Sequence, residues 1–379
     1  KHHTFKMNGG VFGEEARTQD VYDVRVAPLV QHVLQTRGSR ATVFAYGQTG
    51  SGKTHTMIGS GGGEGSIERG VYALAAFDLF AYNDRVSEEE RVQITVAFFE
   101  LYKGQLYDLL QSDHPQMELL EDSKGNVTVI GLTESEPLRS PDQLLDTISS
   151  VTRSTSSTGS NDTSSRSHAI LQINLRQGGH LSKLSFVDLA GSEWFNDSVA
   201  HEKETALEGA EINKSLLSLK ECIRALGGKD SYGLKAEEKA NRHIPFRGSK
   251  LTRLLKDSLV GTPGACKTLM IAQVSPASGA WEHSLNTLRY ADRVGSLPPT
   301  INKTPTKSKS STPGKTPGKT PTKTPTKTPT KTPTKTPTKT ITKTASPRPS
   351  STSKSSTRAS SVKASEKPTV GGRKTKLFG

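Results

Sequence analysis

The eight residues from Gly47 to Thr54 have the types and spacing of a loop that holds phosphate groups, because they fit the pattern G-x-x-x-x-G-K-[ST]. Glycine at positions 47, 50 and 52 lets the backbone turn tightly and point N–H groups inward at a helix start, which favours anions. Lys53 is placed to reach the outer phosphates of a nucleotide, and the Thr54 hydroxyl to bind Mg²⁺. The alternative is a glycine-rich surface turn. The residues predicted to bind nucleotide here are Gly47, Gln48, Thr49, Gly50, Ser51, Gly52, Lys53 and Thr54.

Two later stretches supply groups that nucleotide hydrolysis needs, because the γ-phosphate must be sensed and a water molecule aimed at it. The stretch Asn161–His168 is a polar, hydroxyl-rich loop that leads into a strand. The stretch Val187–Glu193 begins as the end of an apolar strand and continues through Asp188 to Gly191. An acid at the C-terminal end of a strand can hold Mg²⁺ through water, and the Gly191 N–H can contact the γ-phosphate. Each stretch alone also fits an ordinary structure, a Ser-rich turn or an aspartate that ends a core strand.

The elements that must position these groups alternate between helix and strand up to residue 297. Apolar periodicity predicts helices over Thr18–Gln35, Val71–Tyr82, Pro141–Thr152 and Ala210–Leu226, and strands over Ala41–Tyr46, Val92–Tyr102, Val127–Leu132, Ala169–Leu175 and Leu184–Val187. This alternation predicts one α/β domain, residues 1–297, with a mixed central sheet covered by helices on both faces.

The three polar stretches resemble, in order and in wording, the phosphate loop, the first switch and the second switch of the kinesin motor domain. The resemblance runs from Thr4 to Val294 and includes the segments 99–102, 107–110, 212–216, 249–252 and 286–291. It implies a P-loop NTPase fold and an enzyme that hydrolyses ATP with Mg²⁺ in a microtubule-dependent way. A GTPase is disfavoured, because the guanine-reading pattern N-K-x-D is missing where Leu216 follows Asn213, Lys214 and Ser215.

The resemblance also implies a role for individual residues of the ATP site. Thr54 and a first-switch serine, Ser164 or Ser165, would bind Mg²⁺, with Asp188 acting on the metal through water. Arg166 and Glu193 would form a salt bridge between the switches that closes around ATP and helps to order the attacking water. His55 would pack against the adenine ring. The residues given a catalytic role are therefore Arg166, Glu193, Ser164, Ser165 and Gly191.

A track-binding face follows the second switch in the kinesin family, and basic residues mark it in this chain. The matching residues are Lys214, Lys220, Arg224, His243, Arg247, Lys250 and Arg253. If Lys250, Arg253 and Lys256 share one helix, steps of 100° place them within an arc of about 120°. Such a stripe would suit the acidic surface of tubulin, whereas without the resemblance an ordinary solvated helix face is the simpler interpretation.

Some segments resemble one kinesin class in particular. Lys220–Arg224, with Leu207–Glu211, Leu120–Asp122 and Tyr290–Val294, is most similar to the microtubule-depolymerising, internal-motor kinesin thirteen class. Ser192 differs, because most kinesins have serine at this position whereas the depolymerising class usually has asparagine. Two alternatives stay open: a fragment of a plus-end-directed transport kinesin, and a catalytically weakened microtubule-binding protein that attaches through its basic tail.

The beginning of the chain also bears on the motor domain. The chain starts after the family's first strand, its adenine-contacting Arg-x-Arg-Pro segment and the loop that carries the signature of the depolymerising class. We therefore expect an N-terminally incomplete motor domain. At the other end of the domain, Gly295–Pro299 breaks helices, so we expect no coiled-coil dimerisation segment in this chain.

Residues 298–379 differ in composition from the rest of the chain. From Ile301 onward there are 19 basic residues and one acid, a net charge of +18, whereas the residues before Ile301 hold 32 basic and 36 acidic residues, a net charge of −4. Repeats of Lys-Thr-Pro-Thr with few apolar residues predict a disordered basic tail, either a solvated linker or a segment for a polyanionic partner. Eight threonines precede Pro with Lys at the third position beyond, a pattern that suits proline-directed kinases: Thr304, Thr312, Thr316, Thr320, Thr324, Thr328, Thr332 and Thr336.

Composition also bears on where the protein works. Only two cysteines are present, and no apolar run approaches the roughly 20 residues that cross a bilayer, so we expect an intracellular protein without a membrane partner. The resemblance places it in the cytoplasm on the microtubule cytoskeleton, with the spindle and the flagellum as candidate places. We predict tubulin as its partner and no specific nucleic acid.

Overall fold

The computed structural model describes residues 3–59, 68–123, 125–151, 165–193, 203–227, 243–261 and 264–297. The chain divides into two units, Lys1–Ser308 and Lys309–Gly379. The second unit lies outside the described residues, as does the segment 298–308. The predicted tail and its boundary after residue 297 therefore stay predictions.

The described residues build a sheet of eight strands. In chain order the strands are β1 (Arg40–Tyr46), β2 (Gln93–Tyr102), β3 (Gln105–Asp108), β4 (Gln116–Glu121), β5 (Val127–Ile130), β6 (His168–Gln177), β7 (His180–Asp188) and β8 (Cys266–Ala272). Their order across the sheet is β5-β4-β3-β2-β6-β7-β1-β8, and β1 runs parallel to both β7 and β8 while the other pairs are antiparallel. The predicted mixed sheet is confirmed.

Strand sequences follow how deeply each strand is buried. Strands β1 and β2 are almost continuously apolar, because helices cover both of their faces. Strand β4 alternates between exposed and buried residues, as expected near the side of a sheet that is covered on one face. At the other side of the sheet, the outer edge of β8 has no strand partner within the described residues, and most of its side chains are only half-buried.

Helices form a layer on each face of the sheet. They are α1 (Thr18–Val21), α2 (Ala27–Gln35), α3 (Lys53–Ile58), α4 (Val71–Arg85), α5 (Pro141–Ser149), α6 (Lys203–Gly227), α7 (Lys250–Leu254), α8 (Lys256–Val260) and α9 (Trp281–Gly295). Helices α2, α4 and α5 pack in one apolar cluster with Ile94, Leu171 and Phe186. Helices α6, α7 and α9 pack in a second cluster with Phe44 and Val187. Both clusters include residues of the same central strands, so the sheet lies between them.

The structure changes several predicted boundaries. The helix predicted over Thr18–Gln35 is interrupted by a π-helix, Tyr22–Val26, which lies between α1 and α2. Helix α5 begins at Pro141 as predicted, because the Ser140 hydroxyl accepts a hydrogen bond from the Gln143 N–H at 3.2 Å. The helix predicted to carry both Lys250 and Lys256 is broken at Leu255, where α7 ends and α8 begins.

Two observations concern the surfaces of the helices. No helix among the described residues has the length and apolar character needed to cross a bilayer. Trp281, the first residue of α9, leaves 61% of its side chain exposed to solvent.

Candidate active site

The phosphate loop and the second switch meet because of how their strands are paired. The loop follows β1 and the second switch follows β7, and these parallel neighbours place Ala45 directly opposite Asp188. Since the carboxyl ends of adjacent parallel strands lie at the same edge of a sheet, the loop from Gly47 and the segment from Asp188 emerge side by side. This edge is the candidate site.

The phosphate loop uses its glycines where a side chain would not fit. Gly50 and Gly52 have φ angles of +74° and +91°, in the left-handed region that favours glycine. A Cβ at position 47 would overlap the carbonyl oxygen of Gln273, whose N–H donates to the Tyr46 carbonyl at 2.8 Å. The loop can therefore pass close to the strand beside it and turn into α3.

Two side chains at the start of α3, Lys53 and Thr54, contact the loop itself and the end of β7. The Lys53 side chain is buried, and its ammonium group donates to the Gln48 carbonyl at 2.9 Å, across the mouth of the loop. The Thr54 hydroxyl donates to Asp188 Oδ2 at 2.8 Å. Thr54 and Asp188 are the two groups predicted to serve Mg²⁺, one directly and one through water, and the structure brings them into contact.

Further contacts bind the second switch to the phosphate loop. The Ser192 N–H donates to the Gly47 carbonyl at 3.0 Å. The Glu193 carboxylate accepts from the Thr49 N–H at 2.8 Å and also from the Thr49 hydroxyl. A Cβ at Gly191 would overlap both Thr49 Oγ1 and the Glu193 carboxylate, so a larger residue here would have to displace these side chains.

The Glu193 contact also tests whether the loop suits a phosphate. A carboxylate is an anion, and the backbone N–H of Thr49 binds one of its oxygens at 2.8 Å. The loop therefore presents a donor to an anionic oxygen, as a nucleotide-binding loop must. With the buried Lys53 ammonium and the contact between Thr54 and Asp188, the residues present fit a nucleoside triphosphate with Mg²⁺.

The predicted salt bridge between Arg166 and Glu193 is not formed in this structure, although both residues are described. Arg166 instead pairs with Glu208 of α6, with 2.9 Å between Nη1 and Oε2. The Tyr102 hydroxyl also bonds to Glu208, and burial followed by this bond raises the pKa of Tyr102. Arg166 was expected to pair with Glu193, but Glu208 of α6 lies within its reach while Glu193 contacts the phosphate loop.

Three further residues were predicted to belong to the site, and the structure describes two of them, Ser165 and His55. Ser165 is buried, and its carbonyl accepts from the Gly191 N–H at 2.9 Å, so the first and second switches touch here. Ser164 lies outside the described residues. His55 Nε2 lies 3.6 Å from Glu68 Oε2, at a half-exposed position where an aromatic base has access. The magnesium role of the serines and the adenine role of His55 stay predictions.

Several buried polar residues beside the site were not singled out from the sequence. His168 bonds to both Ala190 and Ser215, and Ser167 donates to the fully buried carboxylate of Glu100 at 2.7 Å. The sequence did mark Glu100, because it is an acid in the middle of the apolar strand β2. His168 closed the predicted polar loop, but nothing in the sequence indicated which elements it contacts.

The predicted basic residues of α6 differ in exposure. Lys214 and Arg224 are exposed, and the Lys214 ammonium lies 2.9 Å from Glu211 one turn away. Lys220 is only half-exposed, and burial lowers the pKa of its ammonium group. Lys214 and Arg224 share the outer face of α6 with four other exposed residues: Leu207, Ala210, Leu217 and Glu221.

The basic residues after α6 form no single solvated stripe. Arg253 donates to the Leu119 carbonyl at 3.1 Å, and Lys250 donates to the Gln105 side chain. Lys256 binds the carboxylate of Glu121 at 3.2 Å, and Arg247 binds the same carboxylate at 3.0 Å. The arc depended on Lys250, Arg253 and Lys256 sharing one helix, and that condition is not met because the helix breaks at Leu255. The three side chains bind β3, β4 and the turn after β4, and their role in track binding stays a prediction. The fifth residue of this group, His243, is exposed.

The sheet order, the loop after β1 and the acid at the end of β7 define a P-loop nucleoside triphosphatase fold. The family described as Kinesin motor domain matches residues 1–297, and the chain belongs to the kinesin family.

Similar curated proteins are also kinesins. The chain is 46% identical over 295 residues to "Kinesin-like protein KIF24" of Homo sapiens, covering 77% of this chain and 20% of that protein. It is 46% identical over 297 residues to "Diatom spindle kinesin-1" of Cylindrotheca fusiformis, covering 77% and 43%. It is 45% identical over 298 residues to "Kinesin-like protein KIN-13B" of Arabidopsis thaliana, covering 76% and 39%. The chain spans less than half the length of each of these relatives.

Solved structures show the same fold. One is titled "KIF14[391-772] dimer two-heads-bound state - AMP-PNP in complex with a microtubule", with a TM-score of 0.63 and 33% identity over 74% of this chain and 78% of that one. Another is the "C-terminal motor and motor homology domain of Kar3Vik1 fused to a synthetic heterodimeric coiled coil", with a TM-score of 0.61 and 34% identity over 75% and 70%.

Proposed function

We propose that this chain is the catalytic part of a microtubule-stimulated ATPase. The observation that carries the proposal is that the three predicted stretches converge at one edge of the sheet. Thr54 contacts Asp188, Thr49 contacts Glu193, and Gly191 contacts Ser165. At these contacts the phosphate loop and the second switch lie 134 to 144 residues apart along the chain, and they meet because β1 and β7 are parallel neighbours.

The residues that would hold the nucleotide and its metal follow from this convergence. Lys53 and the loop N–H groups would bind the phosphates, and Thr54 with Asp188 would hold Mg²⁺, directly and through water. When bound, Mg²⁺ neutralises charge on the phosphate oxygens and helps to orient them. Glu193 and Gly191 lie where the second switch touches the loop, so they are placed to respond to a terminal phosphate.

The first experiment removes the loop ammonium group. We expect Lys53→Ala to abolish ATP turnover, because the phosphates lose the cation that lies buried at the mouth of the loop. A phosphate-release assay with and without microtubules measures this. Lys267→Ala, a matched change at an exposed lysine of β8, should keep wild-type turnover. Normal turnover by the Lys53 variant would reject the proposed site.

The outer face of α6 supports a protein track as the partner. It presents two exposed leucines, Leu207 and Leu217, on the same face as the basic side chains of Lys214 and Arg224. Apolar side chains set among positive charges suit an acidic protein surface with apolar groups of its own. The KIF14 structure is titled as a complex with a microtubule. We infer that this chain also binds microtubules, and that Lys214 and Arg224 contribute more than the half-buried Lys220.

Within the kinesins, we propose that this chain depolymerises microtubules. The segment Lys220–Arg224 on α6 and the similarity to a protein named KIN-13B support that class. A transport motor is the second candidate, because Ser192 is the residue found in most kinesins. Fluorescent microtubules separate the two: shortening from the ends supports a depolymerase, whereas gliding over immobilised protein supports transport. Turnover that microtubules do not stimulate would instead favour a weakened, microtubule-binding protein.

We propose that the basic segment after residue 300 adds a second, electrostatic attachment to microtubules. Its net charge of +18 opposes the net charge of −4 on the rest of the chain. Each phosphate placed on a Thr-Pro site by a proline-directed kinase would add between about −1.5 and −2 charges, so modification of all eight would nearly cancel the charge of the segment.

A further inference from the structure

His168 lies where three segments meet: the first switch, the second switch and α6. The proposed ATPase requires these segments to move together. His168 is the first residue of β6, directly after the first switch, and only 2% of it is exposed. Its ring contacts Ala190 of the second switch and Ser215 of α6. Ala190 is followed by Gly191 and Ser192, whose N–H groups donate to Ser165 and Gly47.

The two ring nitrogens of His168 have fixed and different tasks. The Ala190 N–H can only donate, so Nδ1, 3.0 Å away, is the acceptor. A neutral imidazole that accepts at Nδ1 carries its proton on Nε2, so Nε2 donates to the Ser215 hydroxyl at 2.8 Å. That hydroxyl donates in turn to the Ile212 carbonyl at 2.8 Å. The result is a directed chain of hydrogen bonds from the second switch into α6.

Ser215 places the end of this chain on the helix that carries the candidate track face. Ser215 is buried, whereas its neighbour Lys214 and Leu217 two positions on are exposed on the outer side of α6. A cavity of about 210 Å³ borders Arg166, His168 and Ser215. The cavity borders the contact between His168 and Ser215, while apolar residues of α6 such as Ile212 and Leu216 pack in the second cluster.

We propose that His168 is a positioning residue that transmits movement of the second switch to α6 through Ser215. The inference rests on the proposed function, because it assigns the route by which the ATP site and the track face communicate. His168 does not touch the nucleotide in this scheme. It holds Ala190 and Ser215 at a fixed separation, so a shift of the backbone at Ala190 moves the middle of α6.

The test removes each half of the contact in turn. Ser215→Ala removes the acceptor on α6, and His168→Asn keeps an acceptor for the Ala190 N–H but is too short to reach Ser215. We expect both variants to keep basal ATP turnover and to lose about fivefold to tenfold in the microtubule-stimulated rate, the effect of one buried hydrogen bond. The double variant should lose no more than either single variant, because both changes break the same link.

Ser218→Ala is the matched control on the same helix. Ser218 is also buried, and its hydroxyl donates to the Lys214 carbonyl at 2.9 Å, as Ser215 does to Ile212, but it makes no hydrogen bond to a histidine among the described residues. We expect the control to behave as wild type. If Ser215→Ala matches Ser218→Ala, or if the losses in the two single variants multiply in the double variant, the proposed link does not exist.

A second measurement does not depend on microtubules. Hydrogen exchange of the amides from Ile212 to Cys222 is compared with ADP and with a non-hydrolysable ATP analogue. The expected result is a difference between nucleotides in wild type and in Ser218→Ala that disappears in Ser215→Ala. No difference in wild type would overturn the link. A wild-type difference in a protein that microtubules fail to stimulate would refute the proposed track dependence while supporting the link. Ser215→Ala removes a single oxygen atom, so this variant can test the link even if His168→Asn fails to fold.

Discussion

Glu193 touches the phosphate loop through a backbone donor, so its carboxylate can respond to whatever the loop binds. It accepts from the Thr49 N–H at 2.8 Å. We expect Glu193→Ala to leave nucleotide binding largely intact, because Lys53, Thr54 and the loop amides remain. Hydrolysis should fall by between about 100-fold and 10,000-fold, the range for loss of a group that helps to position or deprotonate the attacking water.

Binding of a fluorescent ATP analogue and single-turnover hydrolysis measure the two effects separately. Glu282→Ala, at an exposed position of α9, is the matched control and should change neither. Normal hydrolysis by the Glu193 variant would show that the carboxylate has no part in the reaction.

The pair of Arg166 and Glu208 is buried, with 12% and 4% of the side chains exposed. Removing one charge of a buried pair leaves the other without compensation, so we expect Glu208→Gln to lower the free energy of unfolding by about 3 kcal/mol. Glu211→Gln is the comparison on the same helix. It breaks the exposed pair with Lys214 and should cost less than about 1 kcal/mol. Urea denaturation measures both, and equal losses would contradict the argument.

Sequence and structure agree at the residue scale where strand pairing alone decides a contact. Thr54 and Asp188 were predicted to serve one metal, and they meet because parallel strands end at the same edge. The partner of Arg166 could not be derived in this way. Its partner, Glu208, lies on α6, and whether Arg166 reaches it depends on where that helix packs. The sequence alone does not specify that position.

At the scale of elements, the segment from Arg247 to Lys256 contacts the carboxylate of Glu121 on β4 at both of its ends. Hydrogen bonds from Arg247 and then Lys256 hold the pKa of Glu121 below its ordinary value of 4.5. A carboxyl whose pKa is depressed by folding stabilises the fold fully above its unfolded pKa, and this contribution is lost as the pH falls through the depressed value.

Glu121→Gln should therefore loosen α7 and α8 at neutral pH. We expect faster hydrogen exchange in residues 247–260 of the variant at pH 7, and a difference from wild type that shrinks as the pH falls below 4.5. Glu118→Gln, an exposed change on the same strand, should have no such effect. A difference that persists unchanged in acid would mean that the charge of Glu121 is not responsible.

Elements were predicted best where apolar periodicity is strong and both strand faces are buried, as in β1 and β2. The break at Leu255 escaped prediction, because Leu is a good helix former and no glycine or proline marks the position. The predicted stripe of basic residues depended on one continuous helix, which this break interrupts. Their acceptors, such as the Leu119 carbonyl, are backbone groups of a distant strand, and a helical projection cannot show them.

At the scale of the whole molecule, charge is divided between two parts of opposite sign. The segment from Ile301 carries +18 and the residues before it carry −4. We expect deletion of residues 301–379 to weaken microtubule binding at low ionic strength and to have little effect at high salt, where charges are screened within about 3 Å to 10 Å. Cosedimentation over a salt series measures this.

The control for the deletion keeps the net charge of residues 301–379 and changes the order of those residues. A version in which residues 301–379 are shuffled should bind as wild type if net charge is what matters. Unchanged binding of the deleted protein at low salt would reject the electrostatic attachment. Weak binding by the shuffled version would show that a specific arrangement of residues is needed.

The exposure of Trp281 has a practical consequence for following this protein in solution. The chain holds two tryptophans, and the other, Trp194, directly follows Glu193. Trp281 is 61% exposed, so solvent already quenches and red-shifts its emission, and it should be a steady background. A Trp281→Phe protein would keep a single intrinsic fluorophore one residue from the second switch, and stopped-flow emission could then time the release of Glu193 from Thr49.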